Sequence, residues 1–175
     1  MEFLKKIEWY SKTKADDDAL IFFDGKNYKR YSFKKIWVDV CAIAKSVKKG
    51  SISVIVADCN YETFIKYLGN LAGQGVPAFY SPLTTRQDAE IYNHEFKKIT
   101  EYYDGKSLIE DFSHEMGMNG FIQFSSGTTG LRKAVLIDSE KLVIQLESLG
   151  QSLKIKKTDK VISWLPVYHD MGLIS

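Results

Sequence analysis

Apolar residues recur at helical spacing through Phe33, Ile36, Trp37, Val40, Ile43 and Val47. That spacing marks one face of a helix, and Ser32 stands where an N-cap is wanted. Gly50 closes this unit. The stretch before it, LIFFDGKNYKRY at 20–31, reads as two short strands around an Asp24-Gly25 turn. ISVIVA at 52–57 is a continuous β-branched apolar run, the signature of a strand covered on both faces. Asn60 can cap the next helix, in which Tyr61, Phe64, Ile65, Leu68 and Leu71 share a face. A strand from Val76 to Tyr80 follows. Strand, helix, strand in this order is a βαβ unit and implies parallel pairing. A helix near 85–98 and a weaker strand near 99–103 come next. GFIQF at 120–124 is a strand, and Lys133 to Ile137 is another. Leu142, Val143, Leu146 and Leu149 mark a helix, with Gly150 just past its end. KVISWLP at 160–166 is a last strand, stopped by Pro166, which would put Trp164 and Leu165 in the core. The expectation is a mixed α/β fold with βαβ units and a largely parallel sheet.

Composition changes this picture little. A chain of 175 residues with 45% apolar and 13% aromatic residues can fill one core. It divides naturally into 1–50 (hairpin and helix), 51–118 (first βαβ region) and 119–175. No run approaches the ~18 apolar residues of a membrane span, and the N-terminal stretch lacks the apolar core of a signal peptide. Cys41 and Cys59 lie far apart without a CxxC pair, which favours a reducing, cytoplasmic setting over a disulfide or zinc framework. A net charge of +2 gives no pull toward nucleic acid. The lysines of 154–160 read as a solvated turn.

The chemistry concentrates at 121–135, FIQFSSGTTGLRKAV. Main-chain N–H groups of a glycine-rich turn can converge on an anion. Ser125, Ser126, Gly127, Thr128, Thr129 and Gly130 supply such a turn with hydroxyl donors, and Arg132 and Lys133 add positive charge. A solvent-exposed surface turn of the same composition is the alternative. A Walker A loop is excluded, because the glycines are three apart and Ala134 follows Lys133. Gly73-Gln74-Gly75-Val76-Pro77-Ala78 fits a dinucleotide-binding pattern, but it ends a helix and enters a strand, the reverse of the required context. Those glycines read instead as a helix stop and a close-packing site.

SSGTTGLRKAV resembles the phosphate loop of the adenylate-forming superfamily, [ST]SG[ST]TGxPKGV. VISWLPVYHDMGLIS at 161–175 is similar to the WLPxYHDMGLI segment of fatty-acyl-AMP ligases and related acyl-CoA synthetases. Residues 20–31 and 52–83 agree more loosely. Three departures stand out: Arg132 replaces the family proline, Ala134 replaces a glycine, and Asp138-Ser139 stands where Ser-His is frequent.

The resemblance implies an ATP-dependent ligase. A fatty acid or other carboxylate attacks the α-phosphorus of ATP, giving acyl-AMP and pyrophosphate, and the acyl group then passes to coenzyme A or an acyl carrier protein. It implies that Ser125 to Gly130 hold the β- and γ-phosphates, that Lys133 adds charge, that His169 lines the acyl-adenylate pocket, and that Mg2+ shares the phosphate charge. No role falls to His94 or His114. The family's adenine motifs and its catalytic lysine lie further along than Ser175. The expectation is therefore an N-terminal portion that is inactive alone, contains no catalytic residue and self-associates through uncovered apolar surface. The competing reading is a non-catalytic module that binds nucleotide or a partner, to which Arg132 and Ala134 lend weight. An unrelated α/β nucleotide-binding protein fits the WLPVYHDMG block poorly.

Overall fold

The computed structural model describes residues 1–101, 120–124, 133–156, 158–169 and 172, with side chains left out from 95 to 101. The chain begins with a helix the apolar pattern had not signalled, α1 (Glu2–Thr13). Its Leu4 is buried, Phe3 and Ile7 pack beside it, and the Tyr10 ring lies 4.9 Å from that of Phe33. The hairpin β1 (Asp18–Phe23) and β2 (Tyr28–Ser32) follows, antiparallel as expected. At its turn the Asp24 carboxylate accepts the Asn27 and Lys26 N–H groups at 2.8 and 3.1 Å. Gly25 takes φ +94°, which an L side chain rarely adopts.

Helix α2 (Phe33–Ala44) starts at Ser32, whose hydroxyl accepts the Lys35 N–H, and α3 (Tyr61–Ala72) starts at Asn60, which accepts the Thr63 N–H. Both caps were legible in the sequence. Between α2 and α3 lies β3 (Ile52–Val56), and β4 (Val76–Tyr80) follows α3. Then come α4 (Arg86–Glu101), β5 (Gly120–Phe124), β6 (Ala134–Asp138) and α5 (Ser139–Ser152). Thr85 and Asp88 cap α4 reciprocally: each side chain accepts the other residue's N–H.

The main sheet has the order β3-β4-β5-β6. β3, β4 and β5 run parallel, in register from Ile52↔Val76 and through Ala78↔Ile122. β6 is antiparallel to β5. One face, with Ile55, Phe79 and Phe121, packs against α1, α2 and α3. The other, with Val76, Ala78, Tyr80 and Ile122, meets Ala89 and Tyr92 of α4. Phe121 is completely buried, a contribution of about 1.5–3 kcal/mol for a side chain of its size.

Several expectations are corrected. No strand forms at 160–166 among the described residues. Strand geometry needs a ladder partner, and the sheet ends at β3 and β6 without including this segment. Trp164, expected in the core, is 82% exposed. The segment near 99–103 does not begin as a strand, because α4 runs through Glu101; residues 94–101 hold no glycine or proline to stop it. β3 is not covered on both faces: Val54 and Val56 are 49% and 57% exposed, because β3 is an edge strand. Gly150 lies inside α5, and of that helix's apolar stripe Leu142 is buried while Leu146 is exposed.

Candidate functional site

In a parallel sheet, ligands gather at the carboxyl ends of the strands, where connections diverge and main-chain groups are free. Three described features meet at that end here. The first is the close of β5. Phe124 is stacked on Tyr92 at 3.7 Å, and Tyr80 lies 5.6 Å from Phe124 and 4.8 Å from Tyr92. Burial, and then the neighbouring Tyr92, push the Tyr80 phenol up to about 12. This aromatic trio fixes the strand end that leads into the glycine-rich stretch. Sequence reasoning missed it, because Tyr80, Tyr92 and Phe124 belong to three separate elements.

The second feature is the return. Phe124 pairs with Ala134 and Gly120 with Asp138, so residues 125–133 leave β5 and come back on the adjacent strand in register. A Cβ at Gly120 would run into the Ile137 carbonyl, so this pair needs a glycine. Lys133 stands exposed just before β6. Ser125, Ser126, Gly127, Thr128, Thr129 and Gly130 lie outside the described residues, as do Leu131 and Arg132. Ala134 packs with Leu136 against the α4-side cluster. Asp138 is the N-cap of α5: its carboxylate accepts the Glu140 and Lys141 N–H groups at 2.8 and 3.1 Å.

The third feature is the turn after Pro166. The His169 N–H donates to the Pro166 carbonyl at 3.0 Å, and the Gly172 N–H donates to the His169 carbonyl at 2.9 Å. A side chain at Gly172 would strike the Pro166 carbonyl, so the glycine permits the tight return. Val167 and Tyr168 pack against the α3-side cluster. The Cys59 thiol approaches the Leu165 carbonyl at 3.5 Å, which ties this turn to the loop after β3. His169 itself is exposed. The structure thus brings the His169 turn to the carboxyl side of the sheet, where β5 also ends. His94 is exposed on α4. Among the described residues no group of three or more His, Cys, Asp or Glu could hold a metal.

Residues 113–175 match the family of AMP-binding enzymes. The fatty acyl-adenylate ligase from L. pneumophila, solved with acyl adenylate and pyrophosphate, superposes with a TM-score of 0.79 over 98% of this chain. In fold the chain is similar to part of that ligase. It covers 36% of that ligase at 17% identity, a likeness of fold. The o-succinylbenzoate CoA synthetase of Bacillus subtilis, solved with ATP and a magnesium ion, gives a TM-score of 0.71 at 15% identity over 95% of this chain and 52% of its own. The medium-chain-fatty-acid–[acyl-carrier-protein] ligase of Teredinibacter turnerae is 35% identical over 74 residues, which are 42% of this chain and 11% of that enzyme. The adenylate-forming resemblance and the largely parallel α/β sheet expected from the sequence both hold. No helix among the described residues is long and apolar enough to cross a membrane.

Proposed function

We propose that this chain is the phosphate-binding portion of an ATP-dependent ligase that activates fatty acids as acyl-AMP. One observation carries the reading. The glycine-rich stretch is hung between β5 and β6 at the carboxyl end of the sheet, and the YHDMG turn lies on that same side. Carboxylate and triphosphate repel each other, so a site must hold them in line and offset the charge of departing pyrophosphate. In this reading Ser125 to Gly130 hold the β- and γ-phosphates with main-chain and hydroxyl donors. Lys133, exposed at the base of the return, adds positive charge. His169 lines the acyl-adenylate pocket. Mg2+ would neutralise phosphate charge, but the described residues form no carboxylate cluster for it. The ion would then ride on the triphosphate, as Mg2+ commonly does. The acyl acceptor is a thiol, of coenzyme A or of a carrier protein, and the setting is cytoplasmic.

The chain alone binds ATP weakly and turns nothing over, since it spans about a third of the ligase it superposes on. Incubation with fatty acid, ATP and labelled pyrophosphate tests this. Binding of ATP without exchange is the expected result, and sustained acyl-AMP formation would overturn it. A second reading, a non-catalytic nucleotide- or partner-binding module, is favoured by Arg132 and Ala134. Restoring Arg132→Pro and Ala134→Gly separates the two. Tighter ATP binding in that variant supports a module that has drifted from the ligase loop.

A further inference from the structure

Among the described residues β3 ends the main sheet on one side. Sheet edges are commonly blunted by lysine, proline, a bulge or an inward charge. Ile52–Val56 carries none of these: it is apolar apart from Ser53, and its pairing with β4 runs without a shift. The bonds to β4 show which main-chain groups turn outward. The Val76 N–H donates to the Ser51 carbonyl at 2.9 Å, and the Ala57 N–H donates to the Tyr80 carbonyl at 2.8 Å. Ile52 lies opposite Val76 and Val56 opposite Tyr80. A parallel ladder of this register bonds through alternate residues from Ser51 to Ala57, and it turns the N–H and C=O groups of Ile52, Val54 and Val56 to the open edge. Of these, the Val56 carbonyl accepts the Asp58 N–H at 3.2 Å. The side chains of Val54 and Val56 lie on the α4 side of the sheet, where both are half-exposed. The charges beside the strand select what can pair there. Lys48 and Lys49 precede it and Asp58 follows it, all exposed. A second copy laid antiparallel, Val54 against Val54, sets Ile52 beside the partner's Val56 and Gly50 beside the partner's Asp58. Each basic end then meets an acidic end, whereas parallel pairing of the same edges would set lysine beside lysine.

We propose that the open edge of β3 is a dimerisation site for a second copy of this chain: the two β3 strands pair antiparallel about a two-fold axis at Val54 and continue the sheet from one copy into the other. At the axis each Val54 N–H donates to the partner's Val54 carbonyl. On either side a Val56 N–H donates to the partner's Ile52 carbonyl. The contact is the same patch on both copies, so it closes at a dimer. A pairing of two short strands falls in the weak class of interfaces, below about 1,200 Å², and it forms as concentration rises. The axis is perpendicular to the sheet, so the carboxyl ends of the two sheets point in opposite directions. Neither copy then covers the other's candidate site.

The test is sedimentation equilibrium of the chain carrying Trp164→Ser, which removes the exposed Trp164 as a competing contact. Hydrogen exchange is read at single amides over the same concentrations. The expected mass rises to that of a dimer and stops there, and the Val54 and Val56 amides slow as it rises. Val54→Lys sets like charges across the axis and weakens the dimer by about tenfold or more. Charge reversal gives an independent reading at exposed positions, which decides the matter if Val54→Lys does not fold. At low salt Lys49→Asp or Asp58→Lys alone weakens the dimer by about threefold, and the two together restore it. A monomer at every concentration overturns the proposal. So does a dimer whose Val54 and Val56 amides exchange as in the monomer, since its contact lies elsewhere. Growth past the dimer overturns it as well, because a two-fold edge is used up once paired, and so does a double charge variant that stays as weak as the single ones.

Discussion

At the scale of single residues, α2 and α3 meet over glycine. A Cβ at Gly69 would overlap the Cβ and Cγ2 of Ile43, and one at Gly73 would lie 2.6 Å from the Val47 Cβ. Alanine at Gly69 gains about 1 kcal/mol of helix preference but overpacks the contact by about 1–3 kcal/mol. Gly69→Ala should therefore lower the melting temperature, and Ile43→Ala in the same chain should recover part of the loss; a thermal melt of the three variants reads the coupling. Asp138→Ala removes two N–H partners at the start of α5. The expected cost is about 1 kcal/mol, or about 2–4 °C by calorimetry for a chain of this size. Sequence revealed these residues unevenly. Gly73 and Gly75 were readable as a helix stop with close packing, because both roles follow from a missing side chain. Asp138 looked like a departure from a family pattern, because a cap is recognised only once the helix start is known.

At the scale of elements, the hairpin is the part whose stability follows acid. The N–H groups of Asn27 and Lys26, and then the Lys29 ammonium, hold the Asp24 carboxyl well below the usual carboxylate range, at about 2. A carboxyl depressed on folding contributes stability above its ordinary value near 3.8 and loses it as the pH falls through about 2. Hydrogen exchange at the Asn27 amide should accelerate, relative to a free peptide, between pH 4 and 2. Asp24→Asn keeps an acceptor and should flatten that dependence. The Tyr61 phenol behaves in the opposite sense. Burial, and then the Asp39 carboxylate it donates to at 2.6 Å, push it up, so absorbance titration should find it protonated after free tyrosine has ionised. Long periodic elements such as α2 and α3 were legible because an amphipathic stripe needs no partner to be seen. The segment 160–166 was not, because a β-branched run names a preference for a strand and a ladder needs a neighbour.

At the scale of the whole molecule, apolar surface is left bare in particular places. Val161, Ile162 and Trp164 are exposed, and Val54 and Val56 on the edge strand are half-exposed. Exposed apolar strand edges invite pairing. Light scattering should find the mass rising with concentration, and Trp164→Ser should reduce that rise. A monodisperse monomer at every concentration would contradict it. The βαβ order, and with it parallel pairing, could be read from alternation of element types. The antiparallel return of β6 could not, since a short connection rich in small residues fits either direction. Nor could the meeting of the His169 turn with the carboxyl side of the sheet, which depends on residues far apart in the chain, such as Cys59 and Leu165.

That antiparallel return has an engineering consequence. Because Phe124 and Ala134 are paired neighbours, the segment 125–133 is closed at its base by a fixed clamp of two strands. Its interior can be lengthened, shortened or exchanged without shifting the register of anything outside it. The segment is in this sense a cassette: a homologous stretch carrying proline in place of Arg132 could be transplanted between Phe124 and Ala134, and its ATP affinity compared on an unchanged scaffold.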